Sequence, residues 1–280
     1  MTEKPEWLRI RHRTSPQLEA VEELLEAQNL NTVCKEANCP NYIECFSNKT
    51  ATFMILGTNC TRKCRFCNVR FDPPMPIDID EPMRIARAVK ELKLQHVVIT
   101  SVTRDDLPDG GAMQFVKVID ALRQIVPNTV VEVLIPDLCG NISALRSVIE
   151  ARPAVIGHNM ETVASKYPLV RPEAVYARSL DVIASVAKEP EIRSKTGIML
   201  GLGETEEEVM ALFEDLRQVG CEILTIGQYL APSKAHYPVQ EYLPPERFEA
   251  YKHKAYTKGF SFVASAPLVR SSYQAKEALK

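Results

Sequence analysis

The chain has 280 residues, 45% of them hydrophobic, which is enough to bury a sizeable core in one domain of barrel size or in two ordinary ones. Its 34 basic and 36 acidic residues leave a net charge of −2, which gives no broad attraction for nucleic acid or an anionic membrane surface. Residues 1–7 carry charge and proline where a secretory signal needs an apolar stretch, and no segment approaches the length of a membrane span, so a cytoplasmic, reducing setting is expected.

In chain order, the first predicted element is a helix over 16–28, because Ser15 can cap it, Pro16 suits its first turn, and Leu18, Val21, Leu24 and Leu25 recur along one face. Residues 31–50 place Cys34, Cys39 and Cys45 among Asn38, Pro40, Asn41, Ser47 and Asn48. That composition is poor for helix or strand, and order is expected to come from whatever the cysteines bind. From residue 51 onward, β-rich runs at 52–56, 96–101, 130–135, 154–158, 196–200, 223–230 and 261–264 alternate with amphipathic segments near 81–93, 111–126, 143–151, 173–188, 204–219 and 245–258. The alternation predicts βα units around a parallel sheet, as a complete or partial barrel or a doubly wound sheet. Several of the runs are apolar throughout, as a sheet covered on both faces requires. Thr205 and Glu208 make a capping box, so the acidic run 204–208 reads as a helix start rather than a metal site.

Six of the eight cysteines fall into two triplets, Cys34-x4-Cys39-x5-Cys45 and Cys60-x3-Cys64-x2-Cys67. In a reducing setting such clusters bind metal or do redox chemistry rather than form disulfides. The second triplet follows the 52–56 run directly, which places it at the carboxyl edge where parallel sheets build active sites. It offers three thiolates where a four-iron cube has four irons, leaving one iron open for chemistry. Zinc is the structural alternative, for which Cys64-x2-Cys67 is a half-site, but no second C-x2-C completes the set. Arg62, Lys63 and Arg65 surround the loop, either as a solvated basic stretch or as charges offsetting the thiolates. Cys139 and Cys221 stand alone and read as ordinary buried thiols, and His158 as a packed, hydrogen-bonded histidine.

Three cysteines at this spacing after the first strand of a βα series resemble the signature of the radical S-adenosylmethionine (SAM) superfamily. With the upstream triplet, the run 51–57 (Ala-Thr-Phe-Met-Ile-Leu-Gly) and the stretches Arg104-Asp105-Asp106-Leu107, His158-Asn159-Met160-Glu161, Gly201-Leu202-Gly203-Glu204, Gly227-Gln228-Tyr229-Leu230 and Arg270-Ser271-Ser272-Tyr273, the chain resembles the lipoyl synthases from about Trp7 to Tyr273. The resemblance implies a partial (β/α)6 barrel over 51–265, preceded by a cluster-binding extension over 1–50 and closed by a ligand-donating tail over 266–280. It implies two 4Fe-4S clusters. One, on Cys60, Cys64 and Cys67, reductively cleaves SAM to methionine and a 5′-deoxyadenosyl radical. The other, on Cys34, Cys39, Cys45 and a tail serine, Ser272 first and Ser271 second, yields its sulfide to carbons 6 and 8 of a protein-bound octanoyl group. Further roles follow from the same resemblance. Phe66 would lie near the adenine, Ser101 and Thr103 at the methionine end of SAM, Asn159 and Glu161 at the ribose, Arg171 at the carboxylate and Gln228 in the same pocket. Arg270 would act beside the auxiliary cluster.

Implied partners are an octanoylated lipoyl carrier protein (a glycine cleavage H protein or the acyltransferase subunit of a 2-oxoacid dehydrogenase), an electron donor such as flavodoxin or ferredoxin, and an iron–sulfur carrier. Neither nucleic acid nor membrane is expected. An RNA methylthiotransferase also pairs two such clusters, but it usually appends a basic nucleic-acid-binding domain, and this chain's charge offers little for phosphate. Biotin synthase-like sulfur insertion is closer in chemistry, yet the compact upstream triplet does not fit that family's ligands. A non-catalytic metal-stabilised module would leave the βα series and its edge cysteines without purpose.

Overall fold

The computed structural model describes residues 4–8, 16–37, 39, 41–47, 52–272 and 277–278. Ser15, Asn38, Pro40, Asn48, Ala51 and Tyr273, each used in the sequence reading, lie outside the described residues. The chain divides into two compact units, the first from His12–Arg62 and Asn68–Ile156, the second from Met1–Arg11, Lys63–Cys67 and Gly157–Lys280.

In the first unit, α1 (Pro16–Ala27) matches the expected helix and buries Leu18, Val21 and Leu25. Residues 31–47, expected to be irregular, instead hold a two-residue strand, β1 (Asn31–Thr32), and two short helices, α2 (Val33–Glu36) and α3 (Tyr42–Ser47). The cause is local. β1 pairs antiparallel with β2 (Thr52–Ile55), and the Thr32 hydroxyl caps α2 by accepting from the Lys35 amide at 3.4 Å. A small parallel pair, β3 (Asn59–Cys60) with β4 (Arg70–Phe71), follows. Then come α4 (Glu81–Leu92), β5 (His96–Ser101), α5 (Ala112–Ile125), β6 (Val130–Leu134), α6 (Ile142–Glu150) and β7 (Val155–Gly157). The strand order is β1-β2-β5-β6-β7, and β2, β5 and β6 run parallel. Every residue of β2 is buried, as are Val97, Val98 and Ile99 of β5, so neither face of these parallel strands meets water. α4 and α5 pack together through their buried stripes, Ile85 and Val89 on one and Phe115, Val118 and Leu122 on the other, at the three- and four-residue spacing of a helix face.

In the second unit the elements are α7 (Tyr167–Val170), α8 (Tyr176–Ala187), β8 (Arg193–Leu200), α9 (Glu206–Gln218), β9 (Ile223–Gln228), α10 (Pro245–Thr257) and β10 (Phe262–Ser265). β8, β9 and β10 are consecutive and parallel. β9 is buried at every position, and Ile198, Leu224, Ile226 and Val263 share a core with Leu212, Phe213 and Leu216 of α9 and Phe248 of α10. Phe213 meets Tyr251 and Phe260 edge-on, with ring centroids 6.4 and 5.9 Å apart. Among the described residues no helix is long and apolar enough to cross a membrane.

The capping box read from the sequence is present at α9: the Thr205 hydroxyl accepts from the Glu208 amide at 3.3 Å, and the Glu208 carboxylate accepts from the Thr205 amide at 2.8 Å. Thr205→Ala should therefore cost about 1 kcal/mol and lower the melting temperature by about 2–4 °C. A calorimetric midpoint indistinguishable from that of the parent would remove the box from the account of α9.

Candidate cluster-binding sites

The first unit carries the upstream triplet. Cys34 sits on α2 and is 5% exposed, Cys45 sits on α3, and Cys39 lies between them with its amide donating to the Cys34 carbonyl at 3.1 Å. Burial pushes the Cys34 thiol up to about 11. Burial also pushes Cys45 up to about 12, with the nearby Cys34 and Cys39 sulfurs adding repulsion. The three sulfurs thus lie within electrostatic reach in a pocket that disfavours free thiolates, an arrangement suited to a positively charged metal centre. Among the described residues no three Cys, His, Asp or Glu side chains are grouped for a single metal ion. A four-iron cube does not ask for that grouping, since each thiolate binds its own iron.

The loop after β2 starts from Leu56 in the left-handed region, with φ 69°. Two buried charged side chains hold it there: the Leu56 amide donates to the Glu81 carboxylate at 3.2 Å, and its carbonyl accepts from Arg104 at 3.4 Å. Arg104 is itself paired in two-point fashion with Asp106 at 2.9 and 2.8 Å. Farther on, the Cys60 sulfur accepts from the amides of Arg62 (3.5 Å) and Thr103 (3.4 Å). Thr61 donates its amide and its hydroxyl to the Thr103 carbonyl, both at 3.0 Å, so Thr103 meets this loop through its main chain. Ser101 ends β5 with a buried hydroxyl that has no partner among the described residues. An orphaned hydroxyl at a strand's carboxyl end fits a polar ligand.

Arg62 corrects the reading of a solvated basic loop. It is 7% exposed and ion-paired with Asp105 and Asp137, while Lys63 and Arg65 are exposed. Cys139, expected to be buried, is exposed, whereas Cys221 is buried as expected. The only sequence sign of the Arg62 pairing is the acidic stretch Asp105-Asp106 and the lone Asp137, each placed after a β-rich run.

In the second unit, Lys63–Cys67 is tied down by main-chain and side-chain bonds. The Arg65 amide donates to the Val170 carbonyl, the Tyr237 amide donates to the Arg65 carbonyl, both at 2.8 Å, and the His236 ring nitrogen bonds the Cys67 carbonyl at 3.1 Å. Phe66 packs against Val170, Leu202 and Tyr229. His158 is buried and bonded to Ser179 at 3.0 Å, the packed histidine that was expected.

Several residues expected at the cofactor gather after β7. The Asn159 amide donates to Glu161 at 2.9 Å and to the Ser271 hydroxyl at 2.7 Å. Burial raises the Glu161 pKa, and the positive charges of Arg171 and Arg270 oppose that rise. Arg171 donates to the carbonyls of Asn159 (2.9 Å) and Met160 (3.0 Å), yet its buried Nε has no partner among the described residues. Arg270 donates to the Val269 carbonyl at 2.7 Å. A Cβ on Gly197 would come within 2.7–2.9 Å of Thr225, Ser271 and Asn159, so the absent side chain makes the notch that the Ser271 hydroxyl fills. Ser272 follows, partly exposed.

Gln228 was expected to line the cofactor pocket. In the structure it is fully buried, and its amide donates to the carbonyls of Leu200, Tyr229 and Glu241 at 2.9–3.1 Å and accepts from the Leu243 amide at 2.9 Å. No amide hydrogen is left for a ligand. Glu204 has a similar duty that the sequence reading missed: it accepts from the amides of Gly201 (2.6 Å) and Leu202 (2.9 Å) rather than merely opening α9.

A family model for the radical SAM superfamily matches residues 54–216. The chain is 56% identical over 278 residues to the lipoyl synthase of Alkaliphilus metalliredigens, covering 99% of this chain and 96% of that protein. It is 55% identical over 281 residues to the lipoyl synthase of Caldicellulosiruptor saccharolyticus, covering 100% and 98% respectively. Among solved structures, methylornithine synthase superposes with a TM-score of 0.55 at 14% identity, covering 90% of this chain and 79% of that one. Streptococcus suis SuiB bound to S-adenosylmethionine gives a TM-score of 0.59 at 14% identity, covering 84% and 53%. At such identities the likeness shows the fold, the partial (β/α) barrel expected from the sequence.

Replacing Gln228 with Leu removes a donor from the carbonyls of Leu200, Tyr229 and Glu241 and the acceptor of the buried Leu243 amide. The substitution should destabilise the protein by about 3–5 kcal/mol in a urea titration. A loss below about 1 kcal/mol would mean that the amide is not the tie described.

Proposed function

The chain belongs to the radical SAM superfamily and, within it, to the lipoyl synthases, and from that membership we propose that it inserts two sulfur atoms at C6 and C8 of an octanoyl group held on a carrier protein, completing the lipoyl cofactor in place. The observation that carries the reading is identity above 50% over the whole chain together with the two cysteine triplets. When bound, two 4Fe-4S clusters and SAM supply the radical chemistry that unactivated carbons require and the sulfur they receive.

Cys60, Cys64 and Cys67 hold the radical-generating cluster, and Cys34, Cys39 and Cys45 hold the auxiliary one. Residues 1–50 and 266–280 are thus the ligand-bearing ends of a barrel over 51–265. Ser272 completes the auxiliary set, a choice supported by the engagement of the Ser271 hydroxyl with Asn159. Ser101 and Arg171, whose buried hydroxyl and Nε have no partner among the described residues, contact SAM. Phe66, Thr103, Asn159 and Glu161 join them, Gln228 acts by shaping the backbone, and Arg270 positions the tail ligand. The partners are an octanoylated H protein or acyltransferase subunit, a flavodoxin or ferredoxin as donor, and an iron–sulfur carrier that rebuilds the auxiliary cluster, all in the cytoplasm.

The test is anaerobic incubation with an octanoylated carrier peptide, reductant and SAM, followed by mass spectrometry of the peptide and quantification of 5′-deoxyadenosine. A gain of two sulfurs is expected. Cys34→Ala should abolish that gain while 5′-deoxyadenosine still forms, whereas Cys60→Ala should abolish both. Sulfur insertion surviving in Cys34→Ala would overturn the roles given to the two triplets.

A further inference from the structure

The loop that carries Cys60 contains a buried ion network that the reaction does not by itself require. Arg62 makes a two-point pair with Asp105, Nε to Oδ2 at 2.7 Å and Nη2 to Oδ1 at 3.0 Å, and Nη2 also donates to Asp137 at 2.6 Å. The side chains of Arg62 and Asp137 are 5% and 0% exposed. Arginine keeps its charge under all ordinary conditions, so a guanidinium at this depth demands its carboxylates.

Each carboxylate is in turn fixed. The Asp105 amide donates to the Thr61 hydroxyl at 3.0 Å and its Oδ1 accepts from the Cys139 thiol at 2.9 Å. Asp137 caps the turn over Leu138–Gly140 by accepting from the Cys139 amide at 3.2 Å, and all three residues of that turn have positive φ. The network closes on the backbone of residues 60–62 and 103–105. From that backbone come both amides, those of Arg62 and Thr103, that donate to the Cys60 sulfur.

We propose that Arg62, clamped between Asp105 and Asp137, is a positioning residue that aims two amide N–H groups at the Cys60 sulfur and thereby sets the reduction potential of the cluster bound there. The proposal rests on the reading of Cys60 as a ligand. Hydrogen bonds to a cluster sulfur favour the more negative, reduced state, so they raise the potential and ease the electron's entry. Loss of the clamp should lower the potential.

The experiment is anaerobic reconstitution of wild type, Arg62→Gln, Arg62→Lys and Asp137→Asn, with iron content, melting temperature and an EPR-monitored redox titration for each. Arg84→Gln serves as control, because Arg84 also pairs a carboxylate, Asp78, and bonds the Gln28 carbonyl in the same unit, and among the described residues its hydrogen bonds reach neither cysteine triplet. A tenfold lower reduced-to-oxidised ratio at fixed potential is expected for Arg62→Gln and Asp137→Asn, equivalent to about 59 mV for one electron. Arg62→Lys should fall between them and wild type, since an ammonium restores charge without the fork. Should Arg62→Gln not fold, Asp137→Asn and Arg62→Lys decide alone. Wild-type potentials in the network variants, or an equal shift in Arg84→Gln, would overturn the proposal. Failure of the underlying reading looks different: wild type itself would show no change in its cluster EPR spectrum when SAM is added.

Discussion

Parallel strand pairing is the constraint from which the rest of the structure follows. Parallel strands cannot be joined by tight turns, so each needs a crossover, and the crossovers here are the helices whose apolar stripes cover the sheet. All strands of a parallel set also end at one edge. In the first unit that edge receives Cys60, Ser101, Thr103, Asp105 and Asp137, and in the second it receives Asn159, Glu161, Gly201, Gln228 and Arg270. Residues far apart in the chain therefore arrive together within each unit without any one segment encoding the site.

A second layer of order comes from polar groups withdrawn from water. Removing one member of a buried ion pair typically costs about 3–5 kcal/mol, because the other is left charged and unpartnered. A surface pair such as Arg123 with Asp120, both more than half exposed, is worth about 0–1 kcal/mol. By that measure the interactions that shape the loops are those of Arg62, Arg104, Glu81 and Gln228, all buried and all bonded to backbone or to each other's segments. The surface contacts of Lys254 with Glu206 and of Lys258 with Glu214 contribute solubility more than shape.

What could be read from the chain alone divides along the range of the interactions involved. The βα alternation, the capping box of Thr205 and Glu208 and the cysteine triplets depend on neighbours within a few residues, and they were legible. The short elements of residues 31–47 were missed because Thr32 pairs with Phe53 across a gap that periodicity does not span. Arg62 looked like a solvated charge since its partners lie 43 and 75 residues away. Gln228 looked like a ligand for the same reason: an amide on a buried strand can face a pocket or satisfy backbone carbonyls, and only tertiary structure decides between them. The notch at Gly197 left no sign except a glycine inside a strand, a position that often marks the close approach of another segment.

That notch bears on how the carboxyl-terminal segment is retained. Ser271 is held at its rim by a hydroxyl and an amide 112 residues apart in sequence, not by apolar burial. A neutral hydrogen bond of this kind contributes about 0.5–1.5 kcal/mol net, since water can replace either partner. Detaching that hydroxyl alone would wet a small polar recess, while the apolar anchors on either side of it, Val269 and Ala278, stay buried.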